Sequence, residues 1–184
     1  MPDAVTVAEK LASVKMIVLD VDGVLTDGVI TYGSDGSETK SFHINDGLGI
    51  QLARHAGLII AWITGRESSA VNRRAEELKI HHLFTGIANK SIPLAQLMAT
   101  YEFTAKNIAY MGDDLNDLPA LSLAGVKFAP ANAVPEILAH ADFVTIKSGG
   151  SGAVREMCDT ILKSQDTFTD ALTAYLSEVL HPQN

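Results

Sequence analysis

The chain is poor in basic charge and nearly devoid of cysteine. Its 14 lysines and arginines stand against 22 aspartates and glutamates, a formal net charge of −8. That balance excludes a broad nucleic-acid face, which needs Lys and Arg clustered on one side. A bound phosphate must therefore be met locally, by a metal ion or a few placed cations. The one cysteine, Cys158, excludes an internal disulfide and suits a reducing compartment. Its helical spacing to Val154, Ile161 and Leu162 predicts core packing. No apolar run approaches the length of a membrane span, so no membrane partner is expected. The first residues lack the basic and apolar regions of a signal peptide, and the expected location is the cytoplasm. There is no internal repeat, low-complexity segment or linker, and 184 residues suffice for one sizeable core. One domain over residues 1–184 is expected.

What the chain does have is Met16-Ile17-Val18-Leu19 running into Asp20-Val21-Asp22-Gly23. An apolar run of that length before a turn suits a strand buried on both faces, at about 16–21. It delivers two carboxylates to one edge of a sheet, where open α/β folds place their ligands. Two such close acids repel unless a cation or a shared proton relieves them.

The rest alternates between strand and helix. A short helix is predicted over 5–13, from Val5, Ala8, Leu11 and Ala12. Two strand-like pieces around Gly33-Ser34-Asp35-Gly36 predict a β-hairpin flap over about 28–44. Asn45 or Asp46 is expected to cap a helix that reaches His55. Apolar strands follow at 58–63, 83–85, 108–111, 126–128 and 143–145, with helices near 67–79, 91–100, 115–123, 133–139 and 152–164. A final amphipathic helix, about 166–181, carries Phe168, Leu172, Tyr175, Leu176 and Val179 on one face, to dock on its own domain or on a neighbour. Such alternation predicts an α/β fold, a doubly wound and mainly parallel sheet with helices on both faces.

Polar residues of distinct types end the strands: Asp20 and Asp22, Thr64, then Asp113 with Asp114, while Lys90 opens a helix. Strand ends converge in a parallel sheet, and these types together suit phosphoryl transfer. Carboxylates from two strands can hold Mg²⁺, and a lysine, a hydroxyl and backbone N–H groups can hold phosphate oxygens. One carboxylate can attack phosphorus while a second, two residues on, protonates the leaving alcohol and later deprotonates water.

Asp20-Val21-Asp22-Gly23-Val24-Leu25-Thr26, Thr64-Gly65-Arg66, Lys90 and Gly112-Asp113-Asp114-Leu115-Asn116-Asp117 resemble, in order, the four signature motifs of the haloacid dehalogenase superfamily of phosphatases. Over about residues 13–164 the chain is similar to that superfamily's family of 3-deoxy-D-manno-octulosonate 8-phosphate (KDO 8-phosphate) phosphatases. Asp27-Gly28, the stretch from Phe42 to Ile50 and that from Gly149 to Glu156 add to the likeness. The resemblance implies a Rossmann-like core and hydrolysis of that sugar-acid phosphate in lipopolysaccharide precursor biosynthesis. It implies Asp20 as nucleophile and metal ligand, and Asp22 as general acid/base, binding Mg²⁺ through its carbonyl. Asp113 completes the metal site, Asp114 and Asp117 support that loop, and Thr64, Gly65 and Lys90 meet the phosphate. Sugar-acid contacts map onto His43, Ile44, Asn45, Asp46, Gly47, Arg66 and Arg74. Gln51 departs from the pattern, standing where relatives can carry arginine. His81 and His82 match nothing catalytic, and Trp62 is expected in the core.

No segment is long enough for a large cap domain. The resemblance implies a homotetramer in which a neighbour's hairpin closes each site. A nine-carbon sialic-type sugar acid 9-phosphate is the rival substrate, but similar enzymes of that kind place an acid after Thr-Gly, where this chain has Arg66. A receiver-like domain would carry its phosphoacceptor Asp alone, without a partner such as Asp22. A catalytically silent binding module would not need every motif residue.

Overall fold

A computed structural model describes residues 7–181. The chain opens with α1 (Val7–Ala12) and β1 (Met16–Leu19), whose four residues are fully buried. The two-stranded hairpin β2 (Thr31–Tyr32) and β3 (Glu38–Thr39) follows, then α2 (Ile44–His55), β4 (Ile59–Ile63) and α3 (Ser69–Glu77). Next come β5 (His82–Phe84), α4 (Ser91–Thr100), β6 (Ile108–Met111) and α5 (Leu118–Leu121). The last part holds β7 (Val126–Ala129), α6 (Pro135–His140), β8 (Phe143–Val144), α7 (Ala153–Ser164) and α8 (Phe168–Leu180). Val5, which the sequence places on the first helix, lies outside the described residues. No helix among the described residues is long and apolar enough to cross a membrane.

Six strands form one parallel sheet in the order β5-β4-β1-β6-β7-β8. The chain winds outward from β1 to β5, then returns to build the other half from β6. The strand order therefore reverses beside β1, and a crevice opens there at the carboxyl ends of the strands. Leu19 pairs with both Trp62 and Met111, so Asp20, Thr64 and Gly112 leave the sheet within one residue of the same level.

Alternation along β1 divides the core in two. Ile17 and Leu19 face the layer of α2 and α7, while Met16 and Val18 face Leu94 and Leu97 of α4 and Ala120 and Leu121 of α5. Trp62 is fully buried in the first layer and stacks on Phe42, ring centroids 6.5 Å apart. Cys158 is buried in the same layer, and that burial pushes its thiol well above the ordinary range, so it packs as a small apolar group.

Two local expectations differ from the structure, while the last helix docks on its own domain through part of its apolar face. The cap of α2 is His43, whose Nδ1 accepts the Asn45 N–H at 3.2 Å, in place of Asn45 or Asp46. The helix expected over 115–123 is a single 3₁₀ turn at Leu115–Asp117 followed by the short α5, because Asp117 is turned inward as an anchor. On α8, Ala171 is buried and Phe168 and Tyr175 pack on the core, but Leu172, Leu176 and Val179 remain exposed. The docked side meets α2, where the His55 ring lies edge-on to Tyr175 and its Nε2 is 2.8 Å from Glu178.

The loop before α7 braces the turn after β1. Gly150 donates to the Val24 carbonyl at 3.0 Å, and Gly149 donates to Asn132 Oδ1 at 2.8 Å. A Cβ on Gly149 would lie 1.8 Å from the Gly23 carbonyl oxygen, which is backbone and has little room to yield. Gly149→Ala is expected to cost about 1–3 kcal/mol, the usual range for overpacking. Thermal unfolding should show this as a melting temperature lowered by roughly 3–9 °C.

Candidate active site

Asp20 continues the β1 ladder by donating its N–H to the Met111 carbonyl at 3.0 Å, and its side chain is buried. The chain then turns tightly, with the Val21 carbonyl accepting from Leu25 at 2.9 Å and Thr26 at 3.1 Å. Thr26 Oγ1 braces this turn by accepting from Gly28 N–H at 3.2 Å and Gly23 N–H at 3.4 Å. Gly23 has φ +93°, and a Cβ there would fall 2.0 Å from Asp113 Oδ2. Only glycine lets the β1 turn and the β6 acid approach so closely. The result is a cavity of about 240 Å³ lined by Asp20, Asp22, Gly28, Thr64, Gly65, Arg66, Lys90, Asp113, Asp114 and Asn116.

A buried ion cluster forms its floor. Lys90 Nζ lies 2.7 Å from Asp20 Oδ1 and 2.7 Å from Asp117 Oδ1. Asp117 Oδ1 also accepts the Tyr110 hydroxyl at 2.6 Å, and its Oδ2 accepts the N–H groups of Asp113 at 3.0 Å and Asp114 at 3.3 Å. Both oxygens of Asp117 are thus engaged. Burial, then the charge of Asp117, raises the Asp20 carboxyl well above the ordinary range against the pull of Lys90. The same two causes raise Asp113 to about 7. Burial alone would lower Lys90, but Asp20 and Asp117 together push it up. Burial and Asp117 also raise the Tyr110 hydroxyl.

The donor set fits a hard divalent cation. Carboxylate oxygens of Asp20, Asp113 and Asp117 lie within 4.8 Å of one another. Asp113 Oδ1 is buried with no hydrogen-bond partner among the described residues. Since the four donors on Asp117 occupy its oxygens, Asp20 and Asp113 are the acids with oxygens to offer, and an oxygen-preferring ion such as Mg²⁺ suits them.

A profile of the haloacid dehalogenase-like hydrolases matches residues 82–157. The 3-deoxy-D-manno-octulosonate 8-phosphate phosphatase KdsC of Escherichia coli K12 is 41% identical over 170 residues, covering 92% of this chain and 90% of that protein. The chain belongs to the KDO 8-phosphate phosphatase family. Among solved structures, the Moraxella catarrhalis phosphatase in complex with magnesium, phosphate and KDO has a TM-score of 0.87 at 42% identity, covering 91% of this chain and 97% of that one. The cobalt-bound Haemophilus influenzae phosphatase has a TM-score of 0.85 at 40% identity, covering 91% of this chain and 99% of that one.

In this KDO 8-phosphate phosphatase family member the cavity brings together Asp20, Asp22, Thr64, Gly65, Arg66, Lys90, Asp113 and Asp114. It does not gather the other expected sugar-acid contacts within one chain. His43 and Asn45 line a separate hollow beside Arg155 and Lys163. Ile44 points outward at 81% exposure. Asp46 is buried and accepts the N–H groups of Arg155 at 2.8 Å and Gly152 at 3.3 Å, joining α2 to the start of α7. Arg74 lies over Gly47, where a Cβ would meet its Nη2 at 2.4 Å, and bonds Glu77 at 3.2 Å. Gln51 lies away from the cavity, in a groove against α8.

The hairpin supplies what sequence reasoning missed. Lys40, just past β3, bonds the Asp22 carboxylate with its side chain buried, and Glu38 Oε1 is 3.8 Å from the same ammonium. Arg66 Nη2 donates to Glu38 Oε2 at 3.0 Å and to the Tyr32 hydroxyl at 2.9 Å. The hydrogen bond from Arg66 holds the Glu38 carboxyl below the ordinary range. Glu38 and Lys40 at i, i+2 share a strand face, a pattern that was readable. Tyr110 carried a weaker signal, a buried tyrosine whose hydroxyl needs a partner.

An acid raised by burial binds a proton in the folded state that the unfolded chain has already lost. Through Asp113, stability without metal therefore falls as pH rises from about 4 toward 7. Melting in EDTA should show that decline, and Asp113→Asn should flatten it. Mg²⁺ needs the deprotonated acids, so it should raise the melting temperature more at pH 8 than at pH 6.

Proposed function

We propose that this chain hydrolyses KDO 8-phosphate to the free sugar acid and inorganic phosphate. The observation that carries the reading is the Asp20–Lys90–Asp117 cluster, in which Lys90 holds Asp20 Oδ1 beside the cavity that both line. In the first step the Asp20 carboxylate attacks phosphorus, the bond to the sugar oxygen breaks, and Asp22 gives its proton to that oxygen. In the second step the Asp22 carboxylate takes a proton from water, whose oxygen attacks phosphorus and breaks the bond to Asp20. One ester and one water become one alcohol and one phosphate, and both side chains return to their starting states.

Asp20, Asp113 and the Asp22 carbonyl would hold Mg²⁺, which when bound neutralises charge on the phosphoryl oxygens. Lys90, the Thr64 hydroxyl and backbone near Gly65 bind the phosphoryl group. Gly65 has no packing reason to be glycine, since a Cβ there would meet nothing nearer than Ile87 O at 3.7 Å. Asp114 and Asp117 hold the metal loop. Arg66, on the cavity rim, suits the substrate carboxylate because its planar fork matches two oxygens. His43, Ile44, Asn45, Asp46, Gly47 and Arg74 do not line the cavity of their own chain, so their proposed sugar-acid contacts would be completed in the tetramer, where a neighbour adjoins the site.

The same reading includes one domain over residues 1–184, a cytoplasmic location, in keeping with the lone reduced Cys158, and a homotetramer. The hairpin tip, residues 33–37, is exposed, as a segment covering a neighbour's site would need to be. Purified protein with Mg²⁺ should release phosphate from KDO 8-phosphate faster than from a nine-carbon sugar acid 9-phosphate. Asp20→Asn should abolish that release, and the reverse preference would overturn the substrate assignment. Sedimentation with activity measured across the boundary should place turnover in the tetramer; a fully active monomer would sink the assembly.

A further inference from the structure

Lys40 is the one buried cation on the hairpin, and its ion-pair partners are Asp22 and Glu38. A lysine is costly to bury unless it is well paired, so its place beside Asp22 calls for a reason. Core packing does not supply one. Strands β2 and β3 have two residues each and form a sheet of their own, and an isolated hairpin of that size is marginal. What ties it to the site is a chain of contacts from Asp22 to Lys40, Glu38, Arg66 and Tyr32. The pairing also repeats the logic of the floor. Lys90 holds Asp20 Oδ1, and Lys40 holds Asp22 Oδ1, each lysine arriving from a different element from its acid.

We propose that Lys40 is a positioning residue for Asp22, fixing the carboxyl so that its second oxygen exchanges a proton with the leaving-group oxygen. The inference rests on the phosphatase function proposed above. Glu38 Oε1 lies 3.8 Å from the same ammonium, so two residues of the hairpin meet beside the acid of their own chain. Lys40 contributes chiefly where proton transfer matters, which is with esters of poorly leaving alcohols.

The test compares an alkyl ester, KDO 8-phosphate, with p-nitrophenyl phosphate, whose leaving phenolate needs little proton help. Lys40→Met is expected to lower the ratio of alkyl to aryl kcat by about tenfold or more, a share of the 10²–10⁴ available to general acid catalysis. KM should move little. Lys40→Arg, which keeps a charged donor, should recover most of that ratio. Adding Lys40→Met to Asp22→Asn should cost the alkyl ester little beyond Asp22→Asn alone, because both act through one group. Lys40→Gln provides the same comparison should Lys40→Met not fold. Equal loss on both esters, losses that multiply in the double variant, or a raised KM with kcat retained would overturn the proposal. Wild-type protein that releases phosphate from neither ester would instead overturn the phosphatase reading.

Discussion

Lys90 between Asp20 and Asp117 is the contact on which the site depends. Three ionic side chains are buried together at the carboxyl edge of the sheet, with Lys90 2.7 Å from each acid. Removing one member of such a group leaves an uncompensated charge, at a typical cost of about 3–5 kcal/mol. The sheet supplies Asp20 and Tyr110, the start of α4 supplies Lys90, and the turn after β6 supplies Asp117. Four segments are held in register by one cluster. Burial, then the neighbouring negative charge, raises Asp20 and Asp113, and a divalent cation relieves that charge.

Asp117 shows how a carboxylate can belong to an acidic cluster without being a natural ligand. Its proximity to Asp20 and Asp113 puts it among the groups that could hold a metal. Its four donors, Lys90, Tyr110 and two backbone N–H groups, place it in support of the loop. Asp113, with a buried oxygen that lacks such a donor, is the complementary case. Hydrogen-bond satisfaction, more than distance, separates the two roles.

The hairpin joins this floor to the mouth of the cavity. Its base feeds Lys40 and Glu38 into the site of its own chain, while its tip extends into solvent. The two parts therefore answer to different demands. The base must match the spacing of Asp22 and Arg66, whereas the tip needs only length and turn chemistry.

Much of this was legible in the residues alone. The apolar run before Asp20, the apolar strands ending at Thr64 and Asp113, and the strand-helix alternation determined a parallel sheet whose strand ends converge. Trp62 was readable as core because it lies in a continuous apolar run, and Cys158 because its apolar neighbours repeat with the helix period. Residues whose roles depend on distant partners were not readable. Asp46 resembles a helix cap until Gly152 and Arg155, over a hundred residues away, claim its carboxylate. Arg74 was readable as a ligand for a carboxylate, but its place over Gly47 was not. The apolar stripe of α8 gave no sign of which part docks, because periodicity defines a face but not its partner. Local sequence determined which elements form and which polar groups end them, since those depend on neighbours within a few residues. Tertiary structure alone decided that Lys40 reaches Asp22, that Asp117 is saturated and that His43 faces another hollow, because through-space pairing depends on how separate segments are packed together.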